Sequence, residues 1–325
     1  MTMSLARDAG RFWSDRTAGV LLGAACGDAL GVPYEFSRRL ADTETPEMIG
    51  GGLGPYAPGE YSDDTQMAVC LAQAALEHTD MGSGPARQQV AEAWLRWRRE
   101  GASDIGAQTS SVLSAAEHAG GTILVAATMF EASWKRYQAG APSAGNGSLM
   151  RTAPLALAYL DDPEGLADIA AMYSALTHAD PLAGEACVLW CEGVRHAVMH
   201  GDFTGVQAGL RLLEEDRRAQ WQAWLDEAET KPPHAFSPNG FVVSACRQLG
   251  QRSPAHPSPR TAPGREVSLP ITSGSPLRPR YVPETTPTPW PRSRARCSAP
   301  AGAHPQFPGT TTGQCTVGPG TAHAS

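Results

Sequence analysis

The feature that most limits what this chain can fold into is a change of composition near residue 245. Residues 246–325 hold 15 of the 27 prolines and 9 arginines, with no lysine, no aspartate and two glutamates, Glu266 and Glu284. Only seven Leu, Ile and Val fall in this stretch. Strings such as Pro283-Glu-Thr-Thr-Pro-Thr-Pro-Trp-Pro sustain neither a helix nor a paired strand, because proline lacks the N–H that both ladders use. Residues 246–325 therefore read as a disordered Pro/Arg/Ser/Thr-rich tail. Two origins are open for it. One is a basic interaction arm; the other is a reading-frame shift near Ala245, where Phe241-Val-Val-Ser-Ala turns abruptly into Cys246-Arg-Gln-Leu-Gly-Gln-Arg-Ser-Pro. The residues before the break carry 17 basic and 31 acidic side chains, a formal net of −14, against about +7 after it.

The first 245 residues read as helix almost throughout. Apolar residues recur at helical spacing near 12–31, 64–78, 86–100, 105–118, 148–160, 165–177, 181–200 and 206–229, separated by short loops rich in Gly, Pro, Ser and Asp. No run alternates as a strand would. The fold class is all-α, and some 240 residues suffice for one sizeable core. Trp94 and Trp97, and Trp221 and Trp224, are spaced for core contacts. Glycines at 19, 23, 27 and 31 lay a stripe along one helix face, which predicts a close backbone approach there.

Oxygen donors are concentrated early. Ser62, Asp63, Asp64 and Thr65 put two carboxylates and two hydroxyls on four consecutive residues, where a Gly/Pro-rich loop gives way to Met67-Ala-Val-Cys-Leu-Ala. Side chains at a helix start fan out and converge only on something small, such as a Mg²⁺ ion with oxygen ligands at about 2.1 Å. The same residues also read as an ordinary N-cap with acidic groups in the first turn. Glu35, on a separate segment, favours the metal reading. Farther along, the Gly145-Asn146-Gly147-Ser148 run precedes an apolar stretch from Leu149, which predicts backbone N–H groups facing a phosphate at a helix N-terminus. A plain tight turn is the alternative. Arg151 reads either as a pyrophosphate contact or as half of a structural ion pair, and His178 as a ribose or phosphate contact or a core histidine.

These motifs, in this order, resemble the ADP-ribosylglycohydrolase family. Gly27-Asp-Ala-Leu-Gly-Val-Pro-Tyr-Glu35 and Ser62-Asp63-Asp64-Thr65 are similar to its first metal-site blocks, and Asp104-Ile-Gly to its third. Gly145-Asn-Gly-Ser-Leu-Met-Arg151 is similar to its ADP-ribose loop, Thr177-His-Ala-Asp180 to its next signature, and Asn239-Gly-Phe-Val-Val243 to the opening of its last helical segment. The resemblance covers residues 10–245 and implies a single compact helical domain, incomplete at its C-terminal end. It implies a Mg²⁺-dependent hydrolase that cleaves the glycosidic bond at ribose C1 of an ADP-ribosylated protein or small molecule. It implies two Mg²⁺ ions in the family, of whose ligands this chain supplies Ser62, Asp63, Asp64 and Glu35, and it places catalysis on Asp104 and Glu35 and substrate contacts on Gly145, Asn146, Gly147, Ser148, Arg151 and His178. Asp28 is expected to be structural. The family's late Gly-Asp-x-Asp-Thr block has no counterpart, since the last aspartate is Asp226. The second metal site is therefore expected to be incomplete and activity impaired; the alternative is an inactive ADP-ribose-binding relative or a non-functional truncated product.

Other classes are disfavoured. The acidic head argues against nucleic acid as a partner, and no stretch has the length to span a membrane. Seven cysteines without a Cys-x-x-Cys pair, and no apolar leader, point to reduced thiols and the cytoplasm. A monomer is expected. His196 and His200 have the spacing of a helical zinc pair, but no third ligand is apparent.

Overall fold

The punctuation of helix α8 (Pro181–His200) shows how local chemistry sets the elements. The Asp180 carboxylate accepts from Leu182 N–H at 3.0 Å, proline occupies the first turn, and Gly201 closes the end at φ +77°, a left-handed conformation that favours glycine. Apolar side chains surround this helix on most faces, and ten of its residues are buried, so it becomes the axis of the core.

The computed structural model describes residues 2–249 apart from 38–39, 42, 120–123, 233–234, 237 and 239. Asn239 and all of the expected tail beyond Leu249 lie outside the described residues. Those described fall in one compact unit, Met1–Gly264. Before α8 come α1 (Thr2–Gly31), α2 (Asp63–Glu77), α3 (Gly84–Arg99), α4 (Ala107–His118), α5 (Val125–Gln138), α6 (Leu155–Ala158) and α7 (Pro163–Ala175). After it come α9 (Gly205–Ala208), α10 (Glu215–Thr230) and α11 (Val242–Leu249). Among the described residues there is no β-strand, only two isolated bridges, and the all-α class stands.

Helices α7, α9, α11 and α1 pack on α8, while α2, α3, α4 and α5 form an adjoining layer. Trp94 and Trp221 are fully buried, and each indole N–H has an acceptor: Met67 carbonyl for Trp94 and the Glu185 carboxylate for Trp221. Trp221 and Trp224 meet edge-to-face at 5.1 Å. The tryptophans are core residues, as their spacing predicted.

Several expectations need correction. α5 was not among the predicted helices; its apolar positions are interspersed with Glu131, Ser133, Lys135, Arg136 and Gln138. The helix expected over 148–160 is broken into a 3-10 turn, Leu149–Arg151, and the short α6, because Pro154 lies between them. The stretch 206–229 is likewise divided, by a 3-10 turn at Gly209–Leu212, before α10. The chain stays helical past Ala245 to Leu249, with Cys246 buried and the Arg247 guanidinium 4.1 Å from the centre of the Phe236 ring. A Cβ added at Gly19, Gly23, Gly27 or Gly31 would meet nothing within 4 Å, so no described backbone packs against the glycine stripe.

Candidate active site

Asp28, near the C-terminal end of α1, organises the acidic side of the site. Its two oxygens accept from Ser62 N–H at 3.0 Å, Ser62 hydroxyl at 2.6 Å, Thr65 N–H at 3.0 Å and Thr65 hydroxyl at 2.7 Å. Ser62 sits at the N-cap position of α2, yet its side chain makes no capping bond. Asp28 caps the helix instead, from another element, and satisfies two of the N–H groups that a helix start leaves orphaned. That frees Asp63 and Asp64, in the first turn, to face outward.

The loop before Ser62 requires glycine. Gly50 and Gly52 take φ +72° and +74°; a Cβ at Gly50 would lie 2.4 Å from Tyr56 O, and one at Gly52 would lie 2.2 Å from Val32 O. This close approach binds the loop to the segment carrying Glu35. Ser103, beside Asp104, packs against the same loop, its hydroxyl 2.6 Å from where a Gly54 Cβ would sit. Phe36 is the sole described non-glycine residue at clearly positive φ, +53°, and stands 86% exposed at the lip.

Glu35, Asp63, Asp64, Asp104 and Asp28 line one cavity of about 960 Å³. Among the described residues no lysine or arginine lines it. Burial raises the carboxyls of Asp63 and Asp64 well above the usual range, and neighbouring charges add to it: Asp64 first for Asp63, Asp28 first for Asp64. Burial raises both Glu35 and Asp104; the Asp104 charge and a hydrogen bond between the two carboxyls raise Glu35 further, while the same bond opposes the rise at Asp104. The oxygen donors of Asp63, Asp64, Glu35 and Ser62 are of the hard type that suits a hard cation. Among the described residues no three His, Cys, Asp or Glu groups already converge as a ready-made metal cage.

The facing side is the loop Gly145-Asn146-Gly147 with His178. It is pinned by residues late in the chain: Asn146 N–H donates to Gly240 O at 3.0 Å, Val242 N–H to Ala144 O at 3.0 Å, and Gly145 bridges Phe241. From α4, the Gln108 amide reaches Ser143 O at 3.1 Å and Thr177 O at 2.9 Å, joining the loop to the His178 turn. Gln108 and Thr109 line the cavity and were not singled out from the sequence; their place in the first turn after Asp104-Ile-Gly was the available signal.

Two expected substrate contacts are corrected. Arg151 is fully buried and lies outside the cavity lining, its guanidinium 4.0 Å from the Trp94 ring centre and bonded to Thr177 hydroxyl at 2.6 Å. Ser148 is also buried, accepting from the Ser174 hydroxyl at 2.8 Å. Both face inward because the chain after Gly147 tightens into a 3-10 turn rather than starting an α-helix, and a turn of three residues supplies little of the dipole expected there. The His196 and His200 rings lie tilted against each other with centres 4.3 Å apart beside Asp202, outside this cavity.

The described fold is all-helical and sets a wall of carboxyl groups against a glycine-rich loop across one cavity. The chain belongs to the ADP-ribosylglycohydrolase family, whose model matches residues 9–265. It is 30% identical over 190 residues to the ADP-ribosyl-[dinitrogen reductase] glycohydrolase of Rhodospirillum rubrum, covering 57% of this chain and 58% of that protein. It is 35% identical over 145 residues to the ADP-ribosylarginine hydrolase Tri1 of Pseudomonas putida, covering 44% of this chain and 36% of the relative. A solved structure titled ADP-ribosylglycohydrolase-related protein complex superposes with a TM-score of 0.52 at 27% identity, over 74% of this chain and 80% of that one. The chain thus spans between about a third and three fifths of the length of these two relatives. Among the described residues no helix is long and apolar enough to cross a membrane.

Proposed function

We propose that this chain binds ADP-ribose in the described cavity and hydrolyses the bond between ribose C1 and an acceptor side chain, with arginine the first acceptor to test. The observation that carries this is the opposition of the Glu35, Asp63, Asp64 and Asp104 wall to the Gly145–Gly147 loop and His178 across one cavity of about 960 Å³. Family membership supports it, as do relatives named for ADP-ribosylarginine and ADP-ribosylated dinitrogen reductase.

In the reaction water adds its oxygen to ribose C1, the C1–N bond breaks, and the guanidine leaves with a proton. Burial and the neighbouring Asp104 charge raise the Glu35 carboxyl, which suits it to deliver a proton to the leaving nitrogen, while the Asp104 carboxylate accepts one from water. Mg²⁺ held by Ser62, Asp63 and Asp64 would supply charge neutralisation for the wall and orientation of the ribose hydroxyls. The loop, apart from the Asn146 N–H that donates to Gly240 O, and His178 bind the diphosphate.

One observation favours a second reading, binding without turnover. Every carboxylate lining the cavity comes from residues 28–104; its later lining, such as Met150, Trp190, Ala245 and Gln248, brings none. A wall built from one side only holds fewer ions. The test is release of ADP-ribose from an ADP-ribosylarginine peptide with Mg²⁺, alongside melting with and without Mg²⁺ and ADP-ribose. Turnover supports hydrolysis, and a ligand-dependent rise in melting temperature without turnover supports the binding form. Neither release nor stabilisation overturns both.

A further inference from the structure

We propose that Arg151 and Thr177 are positioning residues that lock His178 as a neutral imidazole carrying its proton on Nε2, aimed into the cavity between Gly145 and Gly147. The first link is donor arithmetic. The Arg151 guanidinium has only donors, and one of them reaches the Thr177 hydroxyl oxygen at 2.6 Å. That oxygen also lies 2.8 Å from His178 Nδ1, and no other hydrogen-bond partner of the hydroxyl occurs among the described residues. With Arg151 donating to the oxygen, the hydroxyl proton goes to Nδ1. Nδ1 therefore accepts, and the ring proton resides on Nε2.

The second link is electrostatic. His178 is 3% exposed, and burial together with the Arg151 and Arg136 charges pushes its imidazolium down to about 3. A proton on both nitrogens would also leave the Thr177 hydroxyl without an acceptor. The third link is space. A Cβ at Gly145 would lie 3.3 Å from Nε2 and one at Gly147 3.2 Å, so the two glycines let the ring edge reach the cavity surface. Arg151 is thereby put to use although it lies behind the site. Among the described residues this buried cation has no carboxylate partner at ion-pair distance; it is held by the Trp94 face, the Tyr173 carbonyl and Thr177, and its charge opposes protonation of the histidine.

The consequence is a single, pre-oriented N–H donor, which rests on the proposed reading when the acceptor is taken to be a phosphate or ribose oxygen of ADP-ribose. The tautomer itself is independent of that reading. Two-bond ¹⁵N–¹H NMR of the ¹⁵N-histidine-labelled full chain near pH 7, assigned with His178→Gln, reports which ring nitrogen carries the proton. Wild type and Thr177→Ser should show a pure Nε2–H form; Thr177→Val should show mixed tautomers and bind ADP-ribose roughly tenfold more weakly, the upper end of one lost hydrogen bond. An Nδ1–H or charged His178 in wild type overturns the lock, and so does an unchanged tautomer in Thr177→Val. If Thr177→Val does not fold, the wild-type spectrum alone decides. A correct tautomer without ADP-ribose binding by wild type supports the lock and counts against the ligand.

Discussion

Removing Asp28 separates its role as a scaffold from its charge. The side chain anchors two backbone N–H groups and two hydroxyls at the start of α2. Asp28→Ala leaves all four to water. With hydrogen bonds to a charged acceptor at about 1.5–3 kcal/mol each, discounted for partial exposure and water replacement, the loss is about 3–4 kcal/mol. Asp28→Asn keeps one carbonyl oxygen for Ser62 and loses the Thr65 set, which halves the loss to about 2 kcal/mol. Both variants also delete one member of a crowded carboxylate group, a relief of order 1 kcal/mol for each. Because that relief is shared, it cancels in the comparison. The gap of about 2 kcal/mol corresponds to about 4–8 °C in melting temperature for a domain of this size. Thermal melts by circular dichroism at pH 7, without divalent cations, read it directly. If the two variants melt together within about 2 °C, Asp28 does not cap α2 and the reasoning is wrong.

Two further predictions concern the cavity. Folding raises the Asp63 and Asp64 carboxyls, so the native state holds protons that the unfolded chain releases above about pH 4. Their contribution is fully present below that value and is lost as pH rises through the raised native values; metal-free protein should melt lower at pH 8 than at pH 5.5, and Mg²⁺ should restore more at pH 8. Equal Mg²⁺ shifts at both pH values would contradict a metal-binding carboxylate wall. Gly147→Ala places a Cβ 3.1 Å from His178 Cε1 and 3.4 Å from Thr109 Oγ1. Overpacking of this kind costs about 1–3 kcal/mol in the unliganded fold; calorimetric titration should show ADP-ribose affinity reduced by at least about tenfold if the ring edge is the contact, and unaltered affinity would place the ligand elsewhere.

The helices that the sequence announced most clearly were those with both ends marked. Asp180, Pro181 and Gly201 delimit α8 without reference to any other part of the chain. α5 was missed because its polar residues hide its apolar face, and burial of Val125, Met129 and Ser133 is decided by the neighbouring helices. The stretch after Gly147 was read as one helix because its apolar content is high; Pro154 and the packing of Arg151 on Trp94 divide it.

What the sequence by itself determined is the chemical inventory: an acidic, helical head, oxygen donors at Glu35, Ser62, Asp63, Asp64 and Asp104, and a Gly-Asn-Gly turn. These are local properties of residue type and spacing. What only the tertiary structure decided is orientation. Asp28 became the cap of a helix 34 residues away, Arg151 and Ser148 turned inward, and Gln108 joined two loops that no local pattern connects. The reason is physical. A residue's capacity to donate, accept or carry charge belongs to its own side chain, whereas the direction it faces depends on long-range packing, which the local sequence specifies only through the whole fold.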